Sequence, residues 1–250
     1  MNAKQFDFAD EGDDTTPASL TVVIHEDLDH VANDNYGCYT WISAPVLAHY
    51  VWRNRKSLQR RHVLEIGAGA ALPGIVAGLC GGVASLTLAD SRAFHPAATR
   101  LARRNADANG LAHARVIDVT WGLVGSEMME STPTTPKTAE EKLFRYDIIL
   151  ASDCFYDTSN FEDVVVTFAT LLHNSSPDTS PELWMTYQER SSGRSIRHLL
   201  TKYRLRCVQE SSWREFRDSS SCVAETRSLQ QLDLHHQISS VWILVIRKEE

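Results

Sequence analysis

The stretch Val63-Leu-Glu-Ile-Gly-Ala-Gly-Ala-Ala-Leu-Pro-Gly74 constrains the fold more than any other part of the chain: an apolar run ends in an acid and a glycine turn, and a helix-forming segment follows. Gly67 and Gly69 permit a sharp reversal with no Cβ in the way, leaving bare peptide at a helix N-terminus, where unpaired N–H groups attract a carboxylate or phosphate. This pattern predicts a βα unit with a nucleotide-like cofactor at its turn. A dinucleotide fingerprint would put a third glycine at position 72, which is Leu72, followed by Pro73 and only then Gly74. The pyrophosphate turn is therefore not reproduced. What remains is E-x-G-x-G, with Glu65 two residues before the first glycine.

A ribose calls for a carboxylate at the end of the next strand, about 20 residues beyond such a turn. Ala84-Ser-Leu-Thr-Leu-Ala-Asp90 supplies it, since both oxygens of Asp90 can accept ribose hydroxyls. An ordinary βαβ unit with a surface aspartate is the bland alternative. Strands are expected at 20–25, 62–66, 84–90, 114–119, 146–151, 182–187, 206–209 and 241–246. Helices are expected at 43–53, the first of them amphipathic, and at 71–80, 94–109 (closed by Gly110), 161–173 and 191–203. Alternation of this kind predicts an α/β fold with a mainly parallel sheet and helices on both faces, its ligands at the C-terminal strand ends.

Residues 1–19 are acidic and polar and read as a disordered leader, with one domain expected over 20–250. Within it, 125–142 reads as a polar insertion, and 214–240 as loops or a lid. A formal net charge of -7 argues against a broad nucleic-acid-binding face and favours a basic substrate. Five cysteines without paired short spacing indicate neither a disulfide framework nor a zinc site. No apolar run approaches membrane-spanning length, so a soluble intracellular protein is expected. His235 and His236 are adjacent and lack a partner cluster, so no metal is expected there.

The E-x-G-x-G turn with Asp90 resembles the first motif of class I methyltransferases that use S-adenosylmethionine (SAM). Tyr36-Gly-Cys-Tyr-Thr-Trp41, Thr120-Trp-Gly122 and Leu150-Ala-Ser-Asp-Cys-Phe-Tyr156 are similar to elements of one branch, the methyltransferase-like protein methyltransferases related to the seven-β-strand lysine enzymes. The similarity runs from about Tyr36 to the final strand. It implies a Rossmann-like seven-stranded sheet and SAM as cofactor. It also implies methylation of a basic side-chain nitrogen of a protein, with histone arginine the substrate class associated with this branch, in the nucleus and cytoplasm.

The cofactor contacts so implied fall on Trp41, Glu65, Gly67, Ala68, Gly69, Asp90, Trp121 and Ala151. Thr120 replaces the family's usual aspartate, and Asp118 is a candidate substitute. Asp153 either holds the cationic acceptor, caps the following segment or meets the cofactor amine. Tyr156, with Phe155 nearby, forms either an aromatic wall favouring a cation or part of the core. Glu189 either completes a clamp for arginine or is a solvated charge beside Arg190, and Trp41 and Trp121 are cofactor contacts or core tryptophans. Cys154 reads as a packed thiol. Protein-lysine methylation, small-molecule methylation, a non-catalytic SAM-binding module and a nicotinamide oxidoreductase remain the alternative functions.

Overall fold

In the computed structural model the described residues are 2–9, 19–27, 36–80, 82–93, 95–123, 146–175, 180–188, 195–218 and 240–249. At the centre lies β3 (His62–Ile66), whose side chains enter both faces of the sheet: Val63 joins one apolar cluster, Leu64 and Ile66 the other. Parallel neighbours flank it on both sides, β4 (Ser85–Asp90) and β6 (Ile148–Ser152). Outside these run β5 (Arg115–Asp118) and β7 (Glu182–Gln188), also parallel. Next to β7, β9 (Val241–Lys248) is antiparallel, and β8 (Leu205–Ser212) closes the edge against it. The order β5-β4-β3-β6-β7-β9-β8 makes a seven-stranded sheet. The chain steps outward from β3 to β5 and then returns to β6, so a crevice opens between the C-terminal ends of β3 and β6.

On one face pack α1 (Ser43–Arg53), α2 (Leu72–Cys80) and α3 (Ala98–Ala108), and on the other α4 (Phe161–His173) and α5 (Arg197–Lys202). The expected bounds of β3, α1 and α4 match, and those of the remaining elements shift by a few residues. Gly110 ends α3 as expected, with φ +77° and the Leu111 N–H returning to Ala106 O at 2.8 Å. In α1 the expected amphipathic pattern gives way to burial almost all round, from Ser43 to Trp52 with His49 partly exposed. The cause is a second cover on its outer side.

That cover includes residues expected to be a disordered leader. Asn2–Ala9 forms β1, paired antiparallel with β2 (Ser19–Glu26), and the hairpin lies over the helices. Phe6 and Phe8 alternate inward and are buried, the Phe8 ring tilted against His49 at 4.7 Å and near Trp52 at 6.0 Å. The segment 214–240, expected to be loops, also opens with structure: α6 (Trp213–Asp218) buries Trp213 and Phe216, the latter 5.5 Å from the Tyr50 ring. The expected insertion at 125–142 lies outside the described residues, as do His235 and His236.

The outer edge of β2 is held by side chains. The Val23 N–H donates to Asn109 Oδ1 (3.0 Å) and Asn109 Nδ2 returns to Val23 O (2.7 Å). One helical turn earlier on α3, the His25 N–H donates to Asn105 Oδ1 (2.9 Å) and Asn105 Nδ2 donates to His25 O (3.1 Å) and Ala70 O (2.9 Å). A carboxamide carries the donor and acceptor of a peptide unit, so both asparagines imitate a neighbouring strand.

Replacing Phe8 by alanine is expected to lower folding stability by about 3–5 kcal/mol, read as the urea midpoint at unchanged slope. A disordered leader would leave the midpoint where it is.

Candidate functional site

At the C-terminal ends of β3, β4 and β6 lies a cavity of about 250 Å³. The turn after β3 forms its floor, with Gly67, Gly69 and Ala71 all at positive φ (+65°, +51° and +65°). Neighbouring atoms also demand glycine: a Cβ on Gly67 would stand 2.9 Å from Cys154 Sγ, and one on Gly69 2.8 Å from Gly37 O. Ala68 N–H extends the ladder to Ala89 O at 2.9 Å, so the turn is locked to β4 before α2 begins.

Two buried carboxylates brace this turn. Asp90 Oδ2 accepts the Gly69 N–H and Oδ1 the Ser91 N–H, both at 2.7 Å, while the carboxylate borders the cavity. Each oxygen retains acceptor capacity after these bonds. Burial pushes the Asp90 carboxyl above its ordinary range, with the hydrogen bonds from the Gly69 and Ser91 N–H groups pulling the other way.

Glu65, read from the sequence as a cofactor contact, lies beneath the floor, fully buried and off the cavity wall. Its Oε2 accepts the Gly74 N–H at 2.8 Å and so anchors the first turn of α2, a side-chain oxygen on one of the unpaired donors of a helix N-terminus. A Cβ on Gly74 would stand 2.5 Å from that oxygen, which explains the glycine after Pro73. Among the described residues, Glu65 Oε1 has no partner. Burial, set against the Gly74 N–H and reinforced by the charge on Asp90, pushes the Glu65 carboxyl up to about 8.

Of the other anticipated residues, Trp41, Gly67, Ala68, Gly69, Asp90, Trp121, Asp153 and Tyr156 border the cavity together. Ala151 does not: it is fully buried in the cluster beneath, and Ser152 takes the wall position. Phe155 is likewise a core residue, edge-on to Phe161 at 5.1 Å, and is no part of an aromatic wall. Asp118 accepts the Arg92 N–H at 2.8 Å and steadies the loop after β4, away from the wall. Cys154 packs against Gly67, with burial holding its thiol well above the usual range. Glu189 lies outside the described residues.

The aromatic wall that does exist comes mostly from the segment before α1. Trp41 Nε1–H donates to Tyr36 O at 2.9 Å, and its ring meets Tyr39 edge-on at 5.1 Å. Opposite, the outer ring of Trp121 lies over Gly67, and Tyr156 stands 6.3 Å from Tyr36. The hairpin holds this wall in place: buried Glu26 accepts the Thr40 N–H and pairs with Lys4 Nζ, both at 2.9 Å, and the same ammonium sits 4.4 Å from the Tyr39 ring. Tyr36, Tyr39, Ser91 and His95 are wall residues that the motif reading did not single out as contacts. Only the first two had a signal, the aromatic spacing of Tyr36-Gly-Cys-Tyr-Thr-Trp41.

Asp153 is buried at the head of the β6 loop, at φ +53°, with its N–H 3.3 Å from Thr186 O. A carboxylate set in an aromatic rim suits a cation, and a mostly apolar cavity with a bare backbone floor and one acid, Asp90, at its edge suits a nucleoside with an amino-acid tail.

The chain matches the family described as lysine methyltransferase over residues 19–199. It is 36% identical over 218 residues to the histone-arginine methyltransferase METTL23 of Xenopus laevis, covering 87% of this chain and 83% of that protein. With the METTL23 of Homo sapiens it shares 38% identity over 170 residues, 68% of this chain and 80% of that one. Among solved structures, the S-adenosylmethionine-dependent methyltransferase of Clostridium acetobutylicum has the same fold, with a TM-score of 0.52 over 89% of this chain and 98% of that one at 8% identity.

Glu65 makes stability depend on pH. With its folded value near 8 and an ordinary value of 4.5, the folded chain keeps a proton that the unfolded chain has released between those limits. The contribution is thus full below pH 4.5 and drains as pH rises through 8. Glu65→Gln, which keeps an acceptor for Gly74, is expected to flatten this decline in melting temperature between pH 5 and 8. Parallel curves for the two proteins would refute it.

Proposed function

The chain belongs to the lysine methyltransferase family of protein methyltransferases, and from that premise we propose that it moves a methyl group from SAM to a basic side-chain nitrogen of a protein, arginine in preference to lysine. The observation that carries this reading is the single cavity in which the glycine turn and Asp90 adjoin Asp153 and an aromatic rim. SAM supplies a methyl group activated by its sulfonium charge. To hold it we assign the remaining acceptor sites of Asp90 to the ribose hydroxyls and the indoles of Trp121 and Trp41 to the flat and charged parts. The 67–69 turn gives the amino-acid portion a close backbone surface rather than the unpaired N–H groups expected from the sequence, since Ala68 N–H and Gly69 N–H are already bonded to Ala89 O and Asp90.

At the other end of the cavity the protein has to align the acceptor rather than react itself. Burial keeps the Tyr156 hydroxyl protonated far above its ordinary range, so it offers a polar edge and no base. Asp153 orients the cationic side chain while the attacking nitrogen turns a lone pair toward the methyl group. The N–C bond would form as the S–C bond breaks to leave a neutral thioether, and the proton shed by the nitrogen would pass to Asp153 or to water. A guanidinium stays charged up to about pH 12 and presents a planar fork to a carboxylate, which suits the buried Asp153 among aromatic rings. The names borne by the METTL23 relatives support arginine, and a histone, as the acceptor. The family description supports lysine as the second reading.

Saturating SAM, at about 100 times its dissociation constant, is expected to stabilise the protein by about 2.7 kcal/mol, a rise of about 5–10 °C in melting temperature. No rise would sink the assignment. Asp153→Asn is expected to keep that thermal shift while losing about 100-fold or more in methylation of a histone mixture by labelled SAM. Peptide mass spectrometry of the product separates arginine from lysine.

A further inference from the structure

His95, on the loop between β4 and α3, is fixed through its backbone, with its N–H on Ser91 O (2.7 Å) and its carbonyl accepting the Ala98 N–H (3.0 Å). Its ring is wedged against Gly37, where a Cβ would stand 3.4 Å from His95 Cβ and Cγ. Nε2 lies 2.9 Å from the Tyr156 hydroxyl, 61 residues away in the chain. Tyr156 is 37% exposed and its nearest aromatic flank, Tyr36, is 41% exposed. A ring covered on one side and open on the other keeps rotamer freedom that a directional bond can remove. The bond to His95 adds that restraint to the packing of the Tyr156 ring.

The proton on the imidazole can be placed as well. His95 Nδ1 is buried and has no partner among the described residues. An N–H there would cost about 1–3 kcal/mol as an unsatisfied buried donor, and orphaned donors are rarer than bare acceptors. In the uncharged ring the proton accordingly sits on Nε2 and is donated to Tyr156 Oη. The tyrosine accepts on one lone pair and keeps its own proton.

We propose that His95 is a positioning residue for the methyl acceptor: as the Nε2–H tautomer it holds the Tyr156 hydroxyl and keeps that ring on the wall it shares with Asp153, flanking the acceptor side chain. This rests on the cavity being a site of protein methylation. Without the bond the ring swings about χ1 and the acceptor loses one side of its slot. A misplacement of about 1 Å in such alignment costs about 100-fold in rate.

The test uses the full chain. In protein labelled with ¹⁵N-histidine, long-range proton–nitrogen correlations at pH 8 identify the His95 ring by its loss in His95→Gln. The expected pattern is the Nε2–H tautomer, perturbed in Tyr156→Phe. An Nδ1–H tautomer or an imidazolium overturns the proposal. In turnover at saturating SAM, His95→Leu is expected to lower kcat on a protein acceptor by about 10- to 100-fold, a larger loss than any change in SAM affinity read by calorimetry. His95→Gln, whose amide nitrogen reaches the Nε2 position, is expected to restore most of the rate. The His95→Leu, Tyr156→Phe double variant is expected to be no slower than Tyr156→Phe alone. Additive losses, or a glutamine variant as slow as the leucine one, overturn the proposal. A wild-type protein that binds SAM but methylates no protein, yet shows the Nε2–H tautomer, refutes the acceptor role and leaves the hydrogen bond standing.

Discussion

The hydrogen bonds from Gly69 N–H and Ser91 N–H to the two oxygens of Asp90 tie the ends of two parallel strands to one carboxylate. Everything at the cavity is referred to that junction. It sets the glycine turn, the turn receives the carbonyl of Gly37 at a distance no larger residue would tolerate, and Gly37 in turn places the aromatic segment before α1. Glu26 and Lys4 secure the same segment from the other side, so the hairpin and the sheet grip the wall between them. One acid on the cavity wall and another buried under its floor cost desolvation, and the upward pull on both Asp90 and Glu65 records it.

These two acids divide tasks that one motif makes look alike. In E-x-G-x-G both the acid and the glycines are readable as ligand contacts. Depth separates them: Asp90 reaches the cavity and Glu65 holds Gly74 from below. A sequence period reports which face of a strand a residue takes and says nothing of how far a side chain stands from a cavity that several loops enclose. The same limit explains Ala151 and Phe155, which flank wall residues in sequence and point into the core.

The central elements were legible because their burial is complete. The near-continuous apolar character of β3 and β6 reflects two covered faces, and α4 has its apolar positions at helical spacing. β1 was not legible: Phe6 and Phe8 alternate within an otherwise polar segment, and a strand that covers helices rather than joining the main sheet buries one side only. Nor was the His95–Tyr156 contact, since it joins two loops whose separation in sequence carries no periodic signal. The seven-stranded order, with its one reversed strand, follows from an alternation that the sequence does display, although β9 reads as just another apolar run until its partner is seen.

The asparagine carboxamides along β2 have a consequence beyond joining a hairpin to a helix. A bare strand edge is a template on which another chain can continue the ladder, and small hairpins are prone to it. Here the peptide groups of Val23 and His25 are already engaged by Asn109 and Asn105. The fold thus closes an open margin with two side chains, where other proteins spend a charged lysine, a proline or a whole covering loop, and in doing so shields the molecule from self-polymerisation along that line.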